Sequence, residues 1–138
     1  MTPDETFALL GKVLAFLESC GEPYQSISAA TQANLIYCLA YDQVAILYDG
    51  EDIKTFIAYW RVHPEDVQKI REYQRPEDVK TGSIGYVAEL GNKGVKTDLA
   101  TVINEIKNNN PDVNDVMWHR RGILKRFRLQ KGETRHGS

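Results

Sequence analysis

Apolar residues recur at three- and four-residue steps in the first forty positions, and this spacing predicts two amphipathic helices. The first helix begins in the segment TPDE, where Thr2 is placed to cap the helix and Glu5 completes a capping box. It is expected to end near Gly21. The second helix follows Ser28, which is placed to cap it, and carries its own apolar face.

The apolar period then changes to alternation, which predicts strands. Two β-rich runs surround Asp49-Gly50, a dipeptide that strongly favours a hairpin turn. The run SIGYVAEL, residues 83–90, is apolar on both faces, so a central strand is expected there. A short helical segment that carries Val67 and Ile70 is expected after His63-Pro64. Further along the chain we predict a helix over residues 97–107 and strands over residues 113–119 and 123–129.

This order of elements predicts the fold class. The strand, helix and strand across residues 83–119 form a crossover unit, which requires parallel strands and a right-handed connection. The other neighbouring strands are joined by hairpins. We therefore expect an α+β fold, a mixed β-sheet flanked by helices on both faces. Simple alternation along the central strand places Glu89 on the face of Gly85 and Val87.

Length and composition are those of an ordinary globular chain. With 138 residues, 42% hydrophobic and 26% charged, residues 1–138 are expected to form a single domain. Cys20 and Cys38 lack the spacing of a metal site and suit reduced thiols, so no metal is expected. No targeting segment or long apolar run is present, which favours a cytoplasmic protein without membrane contact.

Charge is unevenly distributed along the chain. The first sixty residues hold eight acidic residues and two lysines, whereas Trp118 to Ser138 hold seven Lys or Arg and one Glu. The basic C-terminal strand and tail are suited to an anionic surface. Basic residues on a strand also protect the exposed edge of a sheet, and the sequence favours this interpretation. The tail at 131–138 has no apolar residue and is expected to be mobile.

A glycine- and lysine-containing loop joins the central strand to the following helix. A helix N-terminus offers free N–H donors and a partial positive charge, glycines allow close approach, and lysines add formal charge. A diphosphate suits such a loop, although the same residues also suit an ordinary connection. The candidate ligand-binding residues are Gly91, Asn92, Lys93, Gly94, Val95, Lys96 and Thr97.

The layout resembles that of the GNAT acetyltransferases over roughly residues 30–130. GNAT proteins share a loop of Gln or Arg, two residues, Gly, one residue, then Gly or Ala, which holds the pyrophosphate of coenzyme A. Here Gly94 stands at the glycine position, Gly91 replaces the Gln or Arg, and Lys96 replaces the last small residue. The resemblance implies a GNAT-like fold and an acyl-coenzyme A co-substrate, with no permanently bound cofactor.

The first half of the chain also resembles the toxin-activating lysine acyltransferases, which are GNAT-like. The matching segments are LGKVLAFLESC and LAYDQVAILYDGEDIKTFIAYWRV. The histidine that those enzymes place after the first helix has no counterpart in ESCGEPYQS. Their acidic residue on the central strand is matched loosely by Glu89.

Three residues are candidates for acyl-transfer chemistry. Glu89 lies just before the loop, where a carboxylate with a raised pKa can accept the proton of an attacking amine. Tyr86 is a candidate general acid and His119 a candidate proton carrier. Each residue type is also common at strand positions without any catalytic role.

Two hypotheses follow from these observations. The first is a GNAT-like acyltransferase that passes an acyl group from coenzyme A or an acyl carrier protein to an amine. The second is a GNAT-like protein without catalysis that binds a protein partner, a class that includes small components of some phage particles. The degenerate loop motif favours the second, and the strand–glycine–helix arrangement with Glu89 favours the first.

Overall fold

The computed structural model describes residues 2–21, 23–24 and 26–129, so the basic tail at 131–138 lies outside the described residues. A short 3-10 turn, Pro64–Asp66, precedes the third helix. The helices are α1 (Pro3–Ser19), α2 (Ala29–Ala40), α3 (Val67–Arg71) and α4 (Lys96–Asn109). The strands are β1 (Val44–Asp49), β2 (Asp52–Val62), β3 (Ile84–Asn92), β4 (Asp115–Arg120) and β5 (Ile123–Arg128).

The helix starts follow the predicted capping. The Glu5 amide donates to Thr2 Oγ1 at 3.2 Å, and the Thr2 amide donates to Glu5 Oε1 at 2.9 Å. The Thr31 amide donates to Ser28 Oγ at 3.1 Å. Each side-chain oxygen thus accepts from an N–H group that has no partner inside its helix.

The five strands form one mixed sheet in the order β1-β2-β3-β4-β5. Strands β3 and β4 are parallel, and the other neighbouring pairs are antiparallel. The hairpin at Asp49-Gly50 is confirmed, and Gly50 has the positive φ of 63° that this turn requires. The predicted parallel pair and the α+β class are also confirmed.

Helices cover both faces of the sheet. On one, the α1–α2 face, Val13, Leu17, Leu35 and Leu39 pack with Phe56 of β2. On the other, the α4 face, the buried residues Val102 and Ile106 of α4 pack with Ile57 and Tyr59 of β2. Neighbouring residues of β2 therefore face opposite cores, as strand geometry requires. The short helix α3 packs its buried Ile70 near Trp60 and Tyr86.

A β-bulge in β3 changes the face on which Glu89 lies. Ala58 pairs with Glu89 but the next residue, Tyr59, pairs with Val87, so Ala88 is an extra residue. Glu89 therefore lies on the α1–α2 face with Ala58, whereas Val87 packs on the α4 face. The predicted placement of Glu89 beside Gly85 and Val87 was wrong, because simple alternation takes no account of a bulge.

The edge strand β5 pairs antiparallel with β4, as predicted. Lys125, Arg126 and Arg128 are exposed, as expected for a basic edge strand. We expected Ile123 to be shielded from solvent on one side of the strand, and 58% of this residue is exposed. Leu124 of this edge strand packs against the cluster that contains Ile70 of α3, whereas Ile123 and Phe127 are largely exposed.

Across the described residues, every helix is too short or too polar to cross a membrane.

We predict opposite effects of alanine at two glycines. A Cβ on Gly82 would overlap the backbone of Val62 and His63, so Gly82→Ala should destabilise the fold by ~2 kcal/mol or more. Gly11 lies in α1 with open space around it, so Gly11→Ala should stabilise by ~0.5–1 kcal/mol. Urea unfolding of both variants measures the difference, and equal stabilities would contradict the packing described around Gly82.

Candidate functional site

The carboxylate of Glu89 is the centre of the candidate site. The Tyr24 hydroxyl donates to Glu89 Oε1 at 2.9 Å, and Asn34 Nδ2 donates to Oε2 at 3.1 Å. Burial raises the pKa of Glu89, and the hydrogen bonds from Asn34 and Tyr24 oppose that rise. No cation pairs with Glu89 within the described part of the chain.

A second layer of hydrogen bonds holds these two partners in place. Trp60 Nε1 donates to Asn34 Oδ1 at 2.8 Å, which directs the Asn34 amide nitrogen towards Glu89. The Leu90 amide donates to the Tyr24 hydroxyl at 3.1 Å, and Tyr24 in turn donates to Glu89. The position of the carboxylate is thus fixed by the segment before α2, by α2 itself and by β2.

Two neighbouring cavities open at Glu89. The larger, of about 530 Å³, lies against α2 and is lined by Tyr37, Trp60 and Arg75 as well as by Asn34 and Glu89. The smaller, of about 150 Å³, shares Asn34, Trp60 and Glu89 with it. The remaining residues that line the smaller cavity are Ile70, Tyr73, Gln74, Tyr86 and Ala88. A half-buried carboxylate between apolar and aromatic walls is a common feature of small-molecule sites.

Tyr86 and His119 form a hydrogen-bonded pair on the same face. The Tyr86 hydroxyl and His119 Nδ1 are 2.8 Å apart, and the exposed Tyr73 ring stacks on His119 with centroids 4.1 Å apart. Burial raises the pKa of Tyr86 to about 12, so its hydroxyl is protonated at neutral pH. Burial lowers the pKa of His119, which favours the neutral imidazole. The structure thus brings Tyr86 to the cavity of Glu89, while His119 holds Tyr86.

The cavities lie where β3 and β4 separate. The parallel strands are paired in register only from Ile84 and Asp115 to Tyr86 and Met117. Beyond that point β3 continues to Asn92 and β4 to Arg120 without mutual pairing. The carboxyl ends of parallel strands are where open sheets with helices on both faces bind ligands. Glu89 lies on the separated part of β3.

Three backbone donors of the loop at residues 91–97 already have acceptors within the protein. The Gly94 amide donates to Asn92 Oδ1 at 2.9 Å, and the Val95 amide donates to Asp98 Oδ2 at 2.8 Å. The Lys93 amide donates to the Lys54 carbonyl at 2.9 Å. An anion at this helix N-terminus would meet the Asp98 carboxylate in its place.

The lysines of the loop do not converge on the helix N-terminus. Lys93 Nζ donates to Ser19 Oγ of α1 at 3.2 Å, and Lys96 is exposed in the first turn of α4. Thr97, beside Lys96 in the same turn, is exposed as well. The cation beside the N-terminus is Lys54 of β2, whose ammonium lies 3.2 Å from Asp98 Oδ2.

Both loop glycines permit close packing. A Cβ on Gly91 would lie 2.8 Å from Phe16 and from Leu17, so this glycine lets α1 approach β3. A Cβ on Gly94 would overlap the Asp98 carboxylate and the end of Lys54. Gly94 therefore makes room for the Lys54–Asp98 ion pair, which is a structural reason for glycine at this position.

Several site residues were missed in the sequence. Tyr24, Asn34, Trp60 and Arg75 reach Glu89 or its cavity from segments far apart in the chain, which no local spacing reveals. Asn34 gave the one local signal, because it is a polar residue of low helix propensity beside the buried residues Leu35, Cys38 and Leu39.

Comparison with known proteins bears on the fold alone. Neither the family models nor the curated proteins give a match to this sequence. Among solved structures, the chain is similar to the GNAT-like decarboxylase GphF in complex with isobutyryl-CoA, at 14% identity and a TM-score of 0.52. The match covers 86% of this chain and 62% of the decarboxylase, so the chain spans less than two thirds of that protein's length. The fold of this chain is GNAT-like.

We predict that Glu89 makes stability depend on pH. The pKa of Glu89 in the folded state lies above the value of ~4.3 in the unfolded state, so the folded state binds more protons than the unfolded state. Stability therefore falls as the pH rises from the unfolded pKa through the folded pKa. Glu89→Gln removes this titration. The stability of the variant relative to wild type should rise over that window and then level off.

Urea unfolding at a series of pH values measures this difference. Glu105→Gln, which changes an exposed glutamate of α4, controls for the lost charge. Any unfavourable contact between the new amide and the Asn34 amide adds a constant that does not depend on pH. A difference between Glu89→Gln and wild type that stays flat across the window would contradict the raised pKa.

Proposed function

We propose that this GNAT-like chain binds an acyl thioester, of coenzyme A or an acyl carrier protein, and transfers the acyl group to an amine. The observation that carries the proposal is Glu89, a half-buried carboxylate with a raised pKa at the point where β3 leaves β4. A base of this kind works best when its pKa approaches the working pH. The acyl-CoA complex of the similar GphF fold also supports a thioester ligand.

The proposed reaction needs one proton acceptor and one proton donor. The amine nitrogen attacks the thioester carbonyl carbon and forms the new C–N bond, and Glu89 accepts the proton that the nitrogen releases. The C–S bond then breaks, and the sulfur leaves as a thiolate that takes up a proton. Tyr86 is the proposed donor, because it lines the cavity with Glu89 and is protonated at neutral pH.

His119 is assigned a supporting part in this proposal. Its Nδ1 is hydrogen-bonded to the Tyr86 hydroxyl, and its ring is held by the stacked Tyr73. A neutral imidazole in this position orients the hydroxyl and can share its proton. The thioester is a co-substrate, so the proposal includes no permanently bound cofactor.

A second candidate is a GNAT-like protein without catalysis that binds a protein partner. The observation that favours it is in the loop at 91–97. There Asn92 and Asp98 accept hydrogen bonds from backbone N–H groups that a diphosphate would need. Lys54 pairs with Asp98, so the charge at this position is already compensated within the protein. The two candidates differ in whether the loop exchanges Asp98 for the phosphates of a thioester.

We predict that Glu89→Gln separates binding from transfer. The substitution keeps the shape of the side chain and removes the base, so acyl transfer should fall by ~10²–10⁴-fold while thioester binding is retained. Release of free thiol from acetyl-CoA in the presence of primary amines measures transfer, and calorimetric titration with coenzyme A measures binding. Transfer by Glu89→Gln at the wild-type rate would exclude Glu89 as the base.

We also predict that Asp98 competes with phosphate ligands. Asp98→Asn removes the negative charge at the helix N-terminus and frees Lys54, so inorganic diphosphate and coenzyme A should bind more tightly, by a few-fold. Gly94→Val should oppose binding, because its side chain would occupy the space between Asp98 and Lys54. Lys93→Ala and Lys96→Ala should each weaken binding by ~1 kcal/mol or less.

The control for Asp98→Asn is Glu105→Gln, which removes a charge elsewhere on α4. Calorimetry at low and high salt distinguishes a specific contact from general charge attraction. If neither wild type nor any loop variant binds coenzyme A, acyl carrier protein or diphosphate, the loop is an ordinary connection. The interaction protein is then the better assignment.

A further inference from the structure

Arg75 is held over two aromatic rings at the large cavity. Its guanidinium carbon lies 5.0 Å from the centroid of the Tyr37 ring and 5.6 Å from that of Trp60. A cation–π contact of this kind does not use the N–H donors of the guanidinium, which can still bind a ligand. The ion pairs of the described residues do not include Arg75.

The same cavity contains Glu89, which no cation neutralises within the described residues. Asn34 and Trp60 form the wall between the two charged groups, linked by the bond from Trp60 Nε1 to Asn34 Oδ1. Glu89 and Arg75 thus line one cavity of about 530 Å³ without pairing with each other. That volume lies in the range of small-molecule sites.

We propose that the large cavity binds a small molecule carrying both an amine and a carboxylate, with the ammonium at Glu89 and the carboxylate at Arg75. The edge of a guanidinium matches a carboxylate through two parallel hydrogen bonds. The aromatic rings of Tyr37 and Trp60 contact the apolar spacer between the charges. The assignment of this molecule as the acyl acceptor rests on the proposed acyltransferase function, whereas its binding does not.

Charge matching favours a carboxylate over a phosphate. The residues that line the cavity include one carboxylate and one guanidinium, so a ligand with one positive and one negative charge leaves no excess of either sign. A doubly charged phosphate would leave one negative charge uncompensated at Arg75. An amine without a carboxylate would gain no bond at the exposed guanidinium of Arg75, which would stay bonded to water.

Trp60 provides a direct readout of binding, because it lines the cavity. The other tryptophan, Trp118, packs against Phe127 at the edge strand, so Trp118→Phe makes Trp60 the single tryptophan. Fluorescence titrations with β-alanine, γ-aminobutyrate and ε-aminocaproate then test dual-charge probes of increasing length. Hexylamine, hexanoate and an aminoalkyl phosphate are the comparison probes.

The expected result is tightest binding by one of the amino carboxylates. In the same background, Arg75→Gln should weaken that probe about tenfold and leave hexylamine unchanged. Lys125→Gln, on the exposed face of β5, removes the same charge elsewhere and should change neither affinity. Arg75→Lys keeps the charge without the guanidinium fork and should fall between Arg75→Gln and wild type.

Three outcomes would overturn the inference. An equal loss of affinity for amino carboxylates and for hexylamine in Arg75→Gln would show that Arg75 only packs on the rings. A preference for the phosphate would exclude the carboxylate assignment, and hexylamine binding as tightly as every amino carboxylate would exclude dual recognition.

The acyl-transfer assay separates this inference from the proposed function. Transfer to hexylamine that is unaffected by Arg75→Gln, with no gain for amino carboxylates, would support the function and overturn the inference. Selective binding of amino carboxylates without any acyl transfer would support the inferred site and contradict the acyltransferase assignment.

Discussion

The candidate site depends on one backbone irregularity, the extra residue Ala88 in β3. Ala88 has no partner residue in β2. Every side chain of β3 after this bulge therefore lies on the face opposite to the one that simple alternation predicts. Glu89 consequently lies under α2 with Asn34, and Gly91 lies under α1. Tyr86, before the bulge, keeps its place beside Trp60 on the same face. The bulge thus brings the candidate general base, Glu89, and the candidate general acid, Tyr86, to one cavity.

Beyond the C-terminal end of β3, a side chain of the protein itself already occupies the N-terminus of α4, where a ligand could otherwise bind. Any such terminus is stabilised by a negative charge, whether it comes from a ligand or from the chain. Here Asp98 supplies that charge and Lys54 compensates it. The acyltransferase and interaction hypotheses therefore differ in which group occupies the N-terminus of α4, the phosphates of a ligand or the carboxylate of Asp98. What decides between them is whether phosphate contacts outweigh the loss of the Asp98 bond and its ion pair.

Local signals in the sequence were sufficient for the elements and their order. Capping at Thr2, the turn at Gly50 and the change of apolar period each depend on neighbouring residues, so the sheet and its parallel pair could be predicted. Glu89 was found from its place before the loop, but its face was wrong because a bulge depends on the partner strand. The places of Tyr24 and Arg75 at the site depend on tertiary contacts, which produce no periodic pattern in the sequence.

The stability of the fold does not by itself account for a carboxylate at position 89. Burial raises the pKa of this group, which means that the charged form is less stable here than in water, even with two hydrogen bonds from Tyr24 and Asn34. An apolar residue of similar size would avoid that cost. Titratable groups whose pKa is shifted by burial in a cavity occur more often at functional sites than elsewhere. The polar network around Glu89 thus has the property that the proposed ligand site needs, a carboxylate that can accept a proton or bind a positive charge.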